Sequence, residues 1–185
     1  MEDTYTKVKS AFYSGEHAFT GDNQTASDIA FLVDNGYLGL RVFPLATRQE
    51  YLAILQNLPD QEHIYEAAGG SETHVALKLL AGNYLKHKYN QKLLYEHPFC
   101  GYFPDVMTAD SRIIVECGHT NNPEKMLIYF GQSALEECLL VPYPDPDEQQ
   151  VFAYSFKALN ELRDFLAFWE SEKHSDIRKK LQQRQ

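Results

Sequence analysis

Hydrophobic and polar positions in the first 66 residues form the pattern of a mixed α and β segment. Two apolar runs, 29–34 and 37–43, predict strands because they flank Asn35-Gly36, a dipeptide that accepts the positive φ angles of a tight hairpin turn. Thr47 and Glu50 then have the spacing of a capping box, which predicts a short helix. We therefore expect residues 1–66 to form an α/β extension.

From Ser71 onward, stretches of helical and strand-like periodicity follow one another in a regular order. Ser71 can cap the first helix, and Asn122-Pro123 has the pattern of a second helix start. The predicted elements are a helix to about residue 88, strands at 92–98, 100–108 and 112–117, a helix at 123–136, strands at 138–142 and 151–156, and a helix from about residue 158. The order α-β-β-β-α-β-β-α predicts a mixed central sheet flanked by helices, within a domain at 67–185 that ends in a C-terminal helix.

Composition places the chain among packed soluble proteins, since 44% of its 185 residues are hydrophobic and 13% are aromatic. No apolar run approaches the roughly 18 residues of a membrane span, and the start lacks the layout of a signal peptide. The three cysteines, at positions 100, 117 and 138, have the spacing of buried free thiols in a reducing compartment. We therefore expect a cytoplasmic protein with no membrane partner.

Charge narrows the classes of function. The formal net charge of −9 repels polyanions at long range, which argues against a non-specific nucleic-acid coat protein. A nuclease stays compatible with this charge because divalent cations neutralise metal-binding carboxylates. The seven histidines show no HxH or HExxH spacing, and the chain has no GxSxG, GxGxxG or P-loop motif.

Two acidic residues, Asp105 and Glu116, lie on consecutive predicted strands. If residues 109–112 form the hairpin loop, Thr108 pairs with Ile113, and Asp105 lies opposite Glu116 with Cβ atoms about 4.5–5.5 Å apart. Carboxylates at that distance repel unless one is protonated or a cation such as Mg²⁺ bridges them. A register slip of one residue would put them on opposite faces, and an exposed strand end is the other interpretation of Glu116.

Pro104-Asp105 and Glu116, within the order α-β-β-β-α-β, resemble the PD-(D/E)XK (restriction-endonuclease-like) nuclease superfamily over residues 71–156. The resemblance implies a restriction-endonuclease-like core in which Asp105 and Glu116 bind Mg²⁺ (or Mn²⁺). It also implies a third acid from the preceding helix, for which Glu72 is the candidate and Glu66 a weaker substitute. Glu72 shares a helical face with apolar residues and is expected to point inward; an acid favoured by the helix dipole is the alternative.

The chain departs from the family pattern at Gly118, where the superfamily has a lysine two positions after the glutamate. We expect Lys125, in the first turn of the next helix, or His119 to supply the missing basic group, although a solvated lysine is the other interpretation. Gln132, further along that helix, is a further candidate for contact with the site.

The resemblance implies a metal-dependent nuclease that hydrolyses phosphodiester bonds, with DNA as the expected partner and substrate. The alternative is a catalytically inactive binding or assembly protein of the same fold, which the missing lysine and the charge of −9 favour. In that case Asp105 and Glu116 should diverge, or pair with Arg or Lys. An unrelated α+β interaction module is a third interpretation. The sequence leaves the oligomeric state open, a homodimer or larger assembly included.

Overall fold

The computed structural model of the protein describes residues 2–12, 23–58, 71–119 and 124–174. From residue 72 onward, the order of helices and strands is the predicted one, α-β-β-β-α-β-β-α. The elements are α1 (Thr4–Phe12), α2 (Asn23–Asp34), β1 (Leu38–Thr47), α3 (Arg48–Gln56), α4 (Glu72–Tyr89), β2 (Leu93–Tyr95), β3 (Val106–Thr108), β4 (Ile113–Cys117), α5 (Glu124–Gln132), β5 (Glu137–Val141), β6 (Gln150–Ala158) and α6 (Leu162–His174).

The strands form one mixed sheet in the order β1-β6-β5-β4-β3-β2. β4 and β5 are parallel, and every other neighbouring pair is antiparallel. Parallel neighbours need a crossover connection, and α5 lies in the connection between β4 and β5. The predicted α/β architecture, a mixed sheet flanked by helices, is therefore confirmed.

Helices cover both faces of the sheet and bury a hydrophobic cluster on each side. Residues of α1, α2, α5 and α6 pack on one face, where Phe12, Ile29 and Tyr129 are fully buried. Residues of α3 and α4 pack on the other face. Ile114 belongs to the first cluster and Val115 to the second, because successive side chains of a strand point to opposite faces. The candidate site lies where β3 and β4 pass between these two helical layers.

The N-terminal extension contributes to the same sheet and the same clusters. β1 pairs with β6 from Leu38↔Ala158 to Thr47↔Gln150 and forms one edge of the sheet. The predicted boundary between residues 66 and 67 lies outside the described residues. Within the described residues, no helix is long and apolar enough to cross a membrane.

The predicted hairpin around Asn35-Gly36 is wrong, because residues 29–34 belong to helix α2. Gly36 has a φ of 76° and ends that helix. Tyr37 N–H donates to the Leu32 carbonyl at 2.9 Å and Gly36 N–H to the Val33 carbonyl at 3.1 Å, the two hydrogen bonds of a Schellman motif. A positive φ suits a helix C-terminus as well as a hairpin turn, so the dipeptide did not discriminate between them.

The other local signals agree better with the structure. Thr47 and Glu50 form the predicted capping box at the start of α3, and the Ser71 side chain accepts a hydrogen bond from His74 N–H at the start of α4. The strand predicted at 100–108 is shorter in the structure, where β3 begins at Val106. Cys100 and Gly101 have positive φ angles and form a turn closed by two hydrogen bonds between the backbones of Phe99 and Tyr102.

Candidate functional site

The β3–β4 hairpin has the register expected for a loop at residues 109–112. Val106 pairs with Val115 and Met107 with Ile114. The predicted loop is therefore confirmed, but the strand pairing ends at Val106, one residue after Asp105. Both carboxyl groups are buried, with relative exposures of 9% for Asp105 and 4% for Glu116. They bond to helices on opposite faces of the sheet, Asp105 to α4 and Glu116 to α5, which differs from the single face expected from the sequence.

Asp105 is held by donors from helix α4 and from the adjacent strand. His74 Nε2 donates to Asp105 Oδ1 at 2.9 Å, and the backbone N–H of Cys117 donates to Oδ2 at 2.6 Å. Lys78 Nζ lies 3.6 Å from Oδ1. Burial by itself would raise the pKa of Asp105, but the hydrogen bonds and positive charge around it outweigh burial and lower the pKa below its usual value. Asp105 is therefore an ionised carboxylate at neutral pH.

Glu116 is held from the opposite layer, by helix α5. Lys125 Nζ donates to Glu116 Oε2 at 2.6 Å, and the Tyr129 hydroxyl donates to Oε1 at 2.9 Å. Burial raises the pKa of Glu116 to about 7; Lys125 opposes this shift, and the negative charge of Asp105 adds to it. Glu116 therefore changes its protonation near neutral pH, whereas Asp105 does not.

The sequence analysis missed two residues of α4 that contact the site, His74 and Lys78. Lys78 is only 1% exposed and pairs with Glu96 as well as with Asp105. The available signal was a lysine inside a buried apolar stretch, four residues after a histidine and hence on the same helical face. A fully buried lysine needs anionic partners, and Glu96 and Asp105 provide them.

The inward orientation expected for Glu72 is wrong. Its side chain is exposed at the first residue of α4. At about 100° per residue, Glu72 lies roughly 160° around the helix from His74, which faces Asp105. Gln132 is also exposed, at the far end of α5, about two turns from Lys125. Glu66 lies outside the described residues.

Gly118 is explained by its neighbour Tyr143. Gly118 has a φ of 75°, and a Cβ atom there would lie 2.7 Å from the Tyr143 ring. A lysine at this position would therefore be both strained and in collision. His119 packs edge-on against the same ring, with centroids 5.1 Å apart. Of the two candidates for the missing basic group, Lys125 is the one that contacts a carboxylate of the site.

The carboxylates of Asp105 and Glu116 are the candidate metal ligands of the site. Within the described residues, no group of three or more His, Cys, Asp or Glu side chains could hold a metal ion. Mg²⁺ nevertheless commonly binds through one or two carboxylates and completes its shell with water and substrate phosphate. Each oxygen of Asp105 and Glu116 already accepts a hydrogen bond, so an ion bound there competes with His74, Lys125 or Tyr129.

Comparisons with protein-family models, with curated proteins and with solved structures found no match to this chain.

Proposed function

We propose that the protein is a metal-dependent nuclease that hydrolyses phosphodiester bonds in DNA through Asp105, Glu116 and Lys125. The observation that carries this proposal is the contact of 2.6 Å between Lys125 and Glu116, with the buried carboxylate of Asp105 immediately before the neighbouring strand β3. Lys125 then supplies the basic group that Gly118 lacks. The order α4-β2-β3-β4-α5-β5, with β4 parallel to β5, supports a restriction-endonuclease-like core.

Asp105 and Glu116 would hold Mg²⁺ or Mn²⁺, which lowers the pKa of bound water and neutralises charge on the reacting phosphate. Neighbouring residues set the charge of one of these carboxylates and the orientation of the other. His74, Lys78 and the Cys117 N–H keep Asp105 ionised, and Tyr129 fixes one oxygen of Glu116. Lys125, whose side chain is 19% exposed, can exchange its contact with Glu116 for one with a phosphate oxygen or the attacking water.

A cleavage assay on single-stranded DNA, double-stranded DNA and RNA, with Mg²⁺ or Mn²⁺, tests the proposal. We expect Asp105→Asn and Lys125→Ala each to lower the rate at least about 100-fold. Asp110→Asn is the matched control, because it makes the same chemical change at an exposed position in the loop of the same hairpin, and it should keep full activity. A parent protein that cleaves none of these substrates and binds neither metal would overturn the proposal.

A second candidate function is a catalytically inactive binding or assembly protein. The observation that favours it is that both carboxylates pair with lysines, Asp105 with Lys78 and Glu116 with Lys125. In that case the ion pairs hold α4 and α5 against opposite faces of the sheet, and a homodimer or larger assembly becomes the functional form.

Calorimetric titration with Mg²⁺ and Mn²⁺ separates the two functions. The nuclease requires metal binding that Asp105→Asn abolishes, whereas Lys125→Ala removes activity but leaves the carboxylates free to bind metal. An assembly protein shows no metal binding in any variant, and both substitutions then lower its stability only.

A further inference from the structure

A cavity of about 410 Å³ lies beside the Asp105 half of the candidate site. Its walls come from α3, from the start of α4 and from the segment after β5. The polar groups of the lining are those of Arg48, Tyr51, Ser71, Thr73 and Tyr143, with leucines of α3 between them. The volume lies within the range of small-molecule sites, about 300–1,000 Å³.

Arg48 gives the cavity a fixed positive charge. Its Nη1 donates to the backbone carbonyl of Asp145 at 2.9 Å and lies 3.4 Å from that of Glu148. Within the described ranges, Arg48 makes no ion pair with a carboxylate, so its charge is not cancelled by a direct partner. A guanidinium has five N–H donors in a planar fork that matches a phosphate group.

The remaining lining suits a sugar and a base. Tyr143 presents a partly exposed aromatic ring, and the bases of single-stranded nucleic acids stack on such rings. The hydroxyls of Ser71 and Thr73 lie 2.7 Å apart and offer hydrogen bonds to a sugar or a base edge. A cation, an aromatic ring and paired hydroxyls together match the parts of one nucleotide.

Tyr143 connects this cavity to the candidate site. Its hydroxyl lies 3.3 Å from His74 Nδ1, and His74 Nε2 lies 2.9 Å from Asp105 Oδ1. The cavity is therefore separated from the proposed metal ligand by two side chains.

We propose that the cavity binds one nucleotide unit of the substrate strand, next to the phosphate that is cleaved. Arg48 contacts the phosphate of that unit, and the base lies against the ring of Tyr143. This inference rests on the proposed nuclease function, because it assigns the cavity to the same substrate.

Calorimetric titration of the whole protein with deoxyadenosine monophosphate in metal-free buffer tests the inference without any cleavage. We expect saturable binding of one equivalent, and Arg48→Gln should weaken it at least tenfold. Leu52→Glu, which adds a negative charge at an exposed lining position, should have a similar effect without disturbing the core. Ala53→Glu makes the same change at the next exposed residue of α3, outside the lining, and should change the affinity less than twofold.

The ligand series identifies which part of the nucleotide is bound. Deoxyadenosine and inorganic phosphate, titrated separately, should each bind at least tenfold more weakly than the monophosphate. Three results would each overturn the nucleotide subsite. The monophosphate does not bind, inorganic phosphate binds with the same affinity as the monophosphate, or Leu52→Glu and Ala53→Glu lower the affinity equally.

The two proposals fail in different ways. Monophosphate binding without metal-dependent cleavage keeps the subsite and removes the nuclease function. The opposite outcome is metal-dependent cleavage that is the same in the parent and in Leu52→Glu, with no binding of the monophosphate. That outcome would overturn the nucleotide subsite and leave the nuclease function in place.

Discussion

The two buried carboxylates of the β3–β4 segment, Asp105 and Glu116, contact helices on opposite faces of the sheet. Asp105 faces α4 and accepts hydrogen bonds from His74 and the Cys117 backbone, whereas Glu116 faces α5 and is the more deeply buried. The pKa of Asp105 is lowered and that of Glu116 is raised to about 7, although burial acts in the same direction on both. The difference arises because donors and cations outweigh burial at Asp105 and do not at Glu116.

The opposite pKa shifts of Asp105 and Glu116 suit the two carboxyl groups to different chemical roles. Pairs of titratable groups whose surroundings push their pKa values apart are a common basis for separate roles in one site. Asp105 is the permanent anion, which suits a metal ligand that stays charged. Glu116 accepts a proton close to neutral pH, so its charge depends on whether a cation is present.

The largest effect is expected from the buried cation on the Asp105 side. Lys78→Met removes a buried cation that pairs with two carboxylates, Glu96 and Asp105, and should lower the free energy of unfolding by about 3–5 kcal/mol. Chemical denaturation measures this loss. Lys86→Met, at an exposed position of the same helix, should change the free energy by no more than about 0.5 kcal/mol. Equal effects of the two substitutions would show that Lys78 does not compensate buried charge.

The pH dependence of stability separates the two carboxylates. Glu116 has a raised pKa, so its contribution to stability is complete below its ordinary value of 4.5 and is lost as the pH rises through about 7. Asp105 has a lowered pKa, so its contribution is present above its ordinary value of 3.8 and is lost as the pH falls further. The two groups therefore change the free energy of unfolding in opposite directions and in different pH windows.

Isosteric variants in metal-free buffer measure this difference. From pH 5 to pH 8, the stability of Glu116→Gln should improve relative to the parent by on the order of 1–3 kcal/mol, because the glutamine never ionises. Over the same range the difference between Asp105→Asn and the parent should stay constant, and it should change only below about pH 4. If the free energy of unfolding of both variants ran parallel to that of the parent between pH 5 and pH 8, the opposite pKa shifts of the two carboxyl groups would be contradicted.

Sequence patterns predicted the order of the helices and strands around these residues, but fewer of the side-chain contacts in the site. The register from Thr108 to Ile113 followed from loop length and the period of a strand, and Lys125 followed from the absence of a lysine at Gly118. In both cases the residues lie near each other in the sequence.

What the sequence did not predict depends on packing between distant segments. Glu72 and Lys78 lie on the same helix, and which of them faces Asp105 depends on how α4 rotates against the sheet. Asn35-Gly36 likewise has a local preference that a helix end and a hairpin both satisfy. Tyr143, which excludes a side chain at Gly118, lies 25 residues further along the chain. Local periodicity contains no information on such contacts.

The smallest expected effect concerns Lys125, the cation on the Glu116 side. Lys125 lowers the pKa of Glu116 but does not overcome burial, so Lys125→Met should raise that pKa further above about 7. NMR titration of the Glu116 side-chain carboxyl carbon, in metal-free buffer, measures the change, which we expect to be on the order of one unit. The Asp105 carboxyl carbon is the internal control, because its hydrogen bonds come from His74 and Cys117, and its titration should move much less. An equal shift at both carboxyl groups would mean that the two carboxylates share one electrostatic environment and that their division between α4 and α5 has no effect on ionisation.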